Sequence, residues 1–104
     1  QLLATERGDS SAQIQARVLV ARQIQYERQQ GVNAALTQGD IKKHAPLHGE
    51  AERLMMLATQ KLLLSARAYF RMVRVARTIA DMSAASQIQT EHVAEALQYR
   101  GTLG

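Results

Sequence analysis

The chain has 104 residues, room for one domain and not for two. Hydrophobic residues make up 46% and aromatics only 4%, with no Trp, so a core must be aliphatic: Leu, Ile, Val, Met and Ala. Cysteine is absent and the net charge is +4, which excludes disulfides, thiolate catalysis and cysteine metal sites, fits a cytoplasmic setting, and permits an anionic partner without requiring one.

Many Ala, Leu, Gln and Arg and a single proline favour helix over strand. No apolar run approaches the roughly 20 residues that span a bilayer, so no membrane partner is expected. The first residues lack the basic-then-apolar layout of a signal peptide, and there is no initiator Met. The chain is therefore expected to be a piece of something longer.

Gly8 breaks any early helix, and Asp9 and Ser10 are N-cap candidates. A helical pattern follows to Gln30, with Ile14, Val18, Ala21 and Gln25 on one side and Gly31 as the expected C-cap. Asp40 is the expected cap of a short helix, Ile41 to Ala45, that Pro46 stops. A longer helix is expected from Gly49 to Leu62, with Leu54, Leu57, Ala58 and Leu62 at helical spacing and Glu50 and Glu52 suited to its dipole. Met55 and Met56 inside it, with Met72 and Met82 further on, read as core filler. Ser65 is the expected cap of the next helix, which runs to Asp81 with an apolar face of Ala66, Tyr69, Phe70, Val73, Ala76, Ile79 and Ala80. Ile88 lies in an extended link. Thr90 caps a last short helix ending near Tyr99. The expected fold is all-α, a small bundle of four main helices plus one short helix, forming a single domain over residues 1–104.

Few patterns here carry catalysis. His44, His48 and His92 form no HExxH pair and read as loop or surface residues, so no metal site is expected. The serines lack a nucleophile-elbow setting, and no G-x-x-x-x-G-K-[ST] phosphate loop is present. The chain is not expected to be an enzyme by itself. The arginines of the fourth main pattern stand out instead. Arg67, Arg71 and Arg74 fall within roughly 60° of one another on a helix. A solvated face is the ordinary meaning of such a row. Arg67, however, lies in the first turn after the Ser65 cap, where free backbone N–H groups and the positive dipole end favour anions. Arg77, offset by about 60° from Arg74, is expected to pair with Asp81 four residues on.

The segments Ser65-Ala66-Arg67-Ala68-Tyr69 and Arg74-Val75-Ala76-Arg77-Thr78-Ile79-Ala80-Asp81 resemble the C-terminal domain of magnesium-chelatase-like AAA+ ATPases, and most closely the ComM/YifB branch. Gly8-Asp9-Ser10-Ser11-Ala12, Ala21-Arg22, Asn33-Ala34 and the ending His92 to Arg100 are similar to the same domain, so the resemblance spans nearly the whole chain. It implies a helical lid that follows an α/β ATPase core, with ATP and Mg²⁺ bound by the parent protein and not by this fragment alone. It places Arg67 at the sensor II position, where an arginine reaches the γ-phosphate of a nucleotide in its own or a neighbouring subunit. Arg71 and Arg74 have no role carried over and are left as interface or supporting charges. The implied partners are the AAA+ core of the same chain, neighbouring subunits of a homo-oligomeric, hexameric ring, and branched DNA that the full-length protein acts on as a helicase during competence and natural transformation. Two alternatives stay open: a stand-alone basic helical DNA-binding domain, and the lid of a magnesium-chelatase motor subunit.

Overall fold

The structure, a computed structural model, describes residues 11–99. It contains α1 (Ser11–Gln29), a 3-10 turn (Asn33–Ala35), α2 (Gln38–His44), α3 (Gly49–Leu62), α4 (Ala66–Met82) and α5 (Thr90–Gln98), with no strand among the described residues. The all-α bundle expected from composition and periodicity is the fold found. The proposed caps Asp9 and Ser10 lie outside the described residues.

Helix α4 is the axis of the domain. It packs along α5 on one side and α1 on another, and α3 packs against α5. Met72, Val73, Ala76 and Ala80 form its buried stripe and meet Met55 of α3 and Val93 of α5. Alanines at 76, 80 and 96 are at most 1% exposed, as small residues must be where helices approach closely. Each buried leucine-sized side chain contributes roughly 1.5–3 kcal/mol, so this aliphatic cluster is the main stabilising term.

The apolar face of α4 differs from the expected one at its edges. Ala66 is exposed and Tyr69 and Ile79 are half-buried, while Met72 fills the core as expected. Met55 fills the core as expected, whereas its neighbour Met56 is 55% exposed. Ile88, expected in a link, is buried and plugs the core from the α4–α5 loop.

Three helix ends were displaced from their expected residues. Thr37, not Asp40, caps α2: its hydroxyl accepts from the Asp40 N–H at 3.2 Å, while the Asp40 carboxylate accepts from the Thr37 N–H at 3.3 Å. This capping box starts the helix three residues earlier. At α5, Gln89 is the cap and Thr90 the first helical residue; His92 Nδ1 accepts from the Gln89 N–H at 2.9 Å. At α1, Gln30 takes the left-handed conformation (φ 61°) one residue before Gly31.

Candidate functional site

Three residues, Leu63 to Ser65, join α3 to α4. Leu63 stops α3 in the left-handed region (φ 53°, ψ 48°), with its side chain 87% exposed. Ser65 then caps α4, its Oγ accepting from the Ala68 N–H at 3.1 Å, as expected from the sequence. Arg67 therefore sits in the first turn of α4, beside amides that lack intrahelical acceptors. Its side chain is exposed and has no hydrogen-bond or ion-pair partner among the described residues.

The arginine row does not act as one strip. Arg71 and Arg74 are half-buried and line one groove of about 390 Å³ with Ala34, Val75, Ile79 and Tyr99; Arg67 does not reach it. Arg74 Nη1 donates to the Leu36 carbonyl at 3.2 Å, tying α4 to the residue that follows the 3-10 turn. Tyr69, one turn earlier, packs edge-on to Phe70 with ring centroids 5.2 Å apart. Burial, and secondarily the charge of Glu52, pushes its hydroxyl above the usual tyrosine range.

Arg77 belongs to a different site. It is 2% exposed, and its Nε donates to Asp81 Oδ1 at 3.0 Å, the i, i+4 pair expected from the sequence. Its Nη2 and Nη1 donate to the carbonyls of Ala85 at 2.7 Å and Ser86 at 3.3 Å, which fixes the loop after α4. Burial pulls the guanidinium below the ordinary arginine range, opposed by Asp81 and reinforced by Arg28.

Arg28, Asn33 and Gln25 complete this site and were not singled out from the sequence. Arg28 Nη1 and Nη2 donate to Asp81 Oδ1 and Oδ2 at 2.9 and 3.1 Å. Asn33 Nδ2 donates to Asp81 Oδ2 at 2.9 Å and to Thr78 Oγ1 at 3.0 Å, and its Oδ1 accepts from Arg28 and Gln29. The buried Gln25 amide oxygen accepts from the Asn33 N–H at 2.9 Å. Every partner is satisfied: no buried side-chain nitrogen or oxygen among the described residues lacks a hydrogen bond. The one local signal was Asn33 itself, a polar residue in a connector, whose partners are 45 and 48 residues away.

The histidines are dispersed. His44 ends α2, and His48 sits at the N-cap position of α3. His92, expected on the surface, is 5% exposed because its ring folds back on the Gln89 amide. Among the described residues no three His, Asp or Glu side chains group to hold a metal ion, and no helix is long and apolar enough to cross a membrane.

The domain family described as magnesium chelatase, subunit ChlI C-terminal, matches residues 8–100. The chain belongs to that family. Its relatives include the competence protein ComM of Haemophilus influenzae, 43% identical over 95 residues, which cover 91% of this chain and 19% of that protein. The uncharacterized protein YifB of Salmonella typhimurium is 43% identical over 94 residues, covering 90% of this chain and 19% of that protein. Its Escherichia coli namesake is 39% identical over 93 residues, covering 89% and 18%. The chain thus spans about one fifth of the length of the curated relatives it matches. No solved structure matches it. The ChlI C-terminal family and the ComM/YifB likeness agree with the resemblance carried by the Ser65–Asp81 segment.

Proposed function

We propose that this chain is the lid of a ComM-like AAA+ ATPase, a single helical domain over residues 1–104, and that Arg67 is its γ-phosphate-sensing residue. The observation that carries the assignment is the contrast along α4. Arg74 and Arg77 are tied to carbonyls and a carboxylate of the domain itself, while Arg67 stands exposed in the capped first turn with no partner among the described residues. A planar guanidinium with five donors fits phosphate oxygens, and the first-turn amides and the helix dipole add to the same positive field. Mg–ATP, held by the parent protein's core, supplies the phosphoryl group under transfer. Arg67 binds its oxygens, stabilises the charge that develops there, and ties the angle of the lid to the state of the nucleotide. Under this reading the Mg²⁺ ligands belong to the core.

The lid is not an enzyme alone; its partners are the AAA+ core of its own chain and the neighbouring subunits of a cytoplasmic hexameric ring that remodels branched DNA. The ComM and YifB relatives favour this reading over a magnesium-chelatase motor, and neighbouring genes for DNA uptake or for porphyrin synthesis would separate the two. In the full-length protein, Arg67→Ala is expected to lower ATPase turnover on the order of 10²-fold with the circular dichroism spectrum unchanged. Turnover equal to wild type in a folded variant removes the assignment.

A further inference from the structure

Helix α1 is held to the domain by few buried side chains and several polar ties. Its only buried residues are Ala21 and Gln25, one of them polar. Leu19, Val20 and Tyr26 are 67%, 48% and 56% exposed. It packs on α4, with only marginal contact to the other helices. A space of about 280 Å³ opens along its seat, between Val18 and Ala21 on one side and Thr78 and Met82 on the other. The firm ties are polar. They run from Gln25, Arg28 and Gln29 to Asn33, and from Arg28 directly to Asp81. Two of the donors to Asp81, Arg77 and Asn33, lie outside α1.

We infer that α1 is a latched arm: it docks on and lifts off the α2–α5 body as a unit, and the Arg28–Asp81 pair is its catch. Hydrogen bonds and ion pairs give a docked arm a defined seat, but they are replaced by water on opening, so they hold with less net free energy than buried apolar area of the same extent. The turn that links arm to body, Gln30 to Val32, includes the left-handed Gln30 (φ 61°), a position where the chain changes direction abruptly and where a hinge would act. A pull on α1 from the preceding part of a longer chain would therefore be felt first at Asp81, at the far end of α4 from Arg67. The inference does not depend on what Arg67 binds.

Hydrogen–deuterium exchange on the full chain, read by mass spectrometry, tests it. Arg28→Gln removes the arm's half of the catch and leaves the Arg77–Asp81 pair in place. The expected result is exchange at least tenfold faster in peptides from residues 11–29, with peptides from residues 72–80 and 92–97 within twofold of wild type. Arg28→Lys, which keeps the charge but not the two-pronged grip, should lie between. As a control, Val93→Ala, a change in the core of the body that does not touch the catch, should speed exchange in α3, α4 and α5 and leave peptides from residues 11–29 within twofold of wild type. The inference is overturned if Arg28→Gln speeds α4 and α5 as much as α1, which makes α1 part of one cooperative unit. It is equally overturned if the variant leaves α1 unchanged, which makes the pair idle.

Discussion

Asp81 is the residue on which most of the polar architecture converges. One fully buried carboxylate accepts from two guanidinium groups and an amide, contributed by α1, α4 and the segment between α1 and α2. Buried ion pairs of this kind add little net stability over an apolar substitute, but removing one member leaves the other charge stranded. Asp81→Asn is therefore expected to cost about 3 kcal/mol or more, a fall on the order of 12–20 °C in Tm followed by circular dichroism. A shift of only a few degrees would mean that Arg77 finds enough compensation from the Ala85 and Ser86 carbonyls alone. Half of this site was legible in the sequence. The four-residue spacing of Arg77 and Asp81 announces itself, whereas Arg28 lies 53 residues from its partner, and no local pattern encodes such a meeting. The reverse holds for Arg71 and Arg74, whose spacing suggested equivalence with Arg67. Their half-burial comes from what the 3-10 turn and Tyr99 place beside them.

At the scale of elements, the starts of α3 and α4 follow from short-range chemistry and were legible: Gly49 and Ser65 mark them, and Ser65 makes the expected bond. The ends were harder. Three helix-terminating positions, Gln30, Leu63 and Ala84, adopt left-handed backbone without being glycine, with φ of 61°, 53° and 55°. Glycine is the usual signal for that conformation, so Gly31 drew the assignment one residue too far. The α2 cap was misassigned for a related reason. Asp40 and Thr37 are both good caps, and they act here as the two halves of one box. That box is testable by pH. The Thr37 hydroxyl, and then the Thr37 amide, hold the exposed Asp40 carboxyl below the usual aspartate range. A carboxyl with a depressed folded-state pKa contributes stability above its unfolded value and loses it as pH falls through the folded one. The Asp40 carboxyl carbon should accordingly titrate below the ordinary aspartate midpoint by NMR, with the α2 amides loosening as it protonates. In Thr37→Val the midpoint should return toward the ordinary value. An ordinary midpoint in the unaltered chain would show that the box does not persist in solution.

For the whole molecule, α4 is both the centre of packing and the carrier of the candidate site, and one continuous helix joins its first turn to the Asp81 site at its last. The net charge of +4 is modest. Arg74 and Arg77 turn inward, and Lys42, Lys43, Arg53 and Lys61 are exposed on α2 and α3. As a lid, the chain alone is expected to show no appreciable affinity for duplex or branched DNA by fluorescence anisotropy at about 50 mM salt, where a phosphate-binding domain would be strongly favoured. Micromolar binding that weakens steeply with salt would instead favour the DNA-binding alternative.

Among the described residues, the Asp81 site carries two positive charges, Arg28 and Arg77, against one negative. The difference is met by peptide oxygens: Arg77 points at the carbonyls of Ala85 and Ser86, close to the C-terminal end of α4, where helix dipoles present their negative pole. Neutralisation by fixed backbone dipoles differs from neutralisation by a mobile carboxylate. It involves no proton in the accessible range, and dissolved ions have little purchase on it because the group they would screen is buried. Arg77 is thus neutralised in part by oxygens that neither titrate nor move, in contrast to Arg67, which stands exposed at the other end of α4.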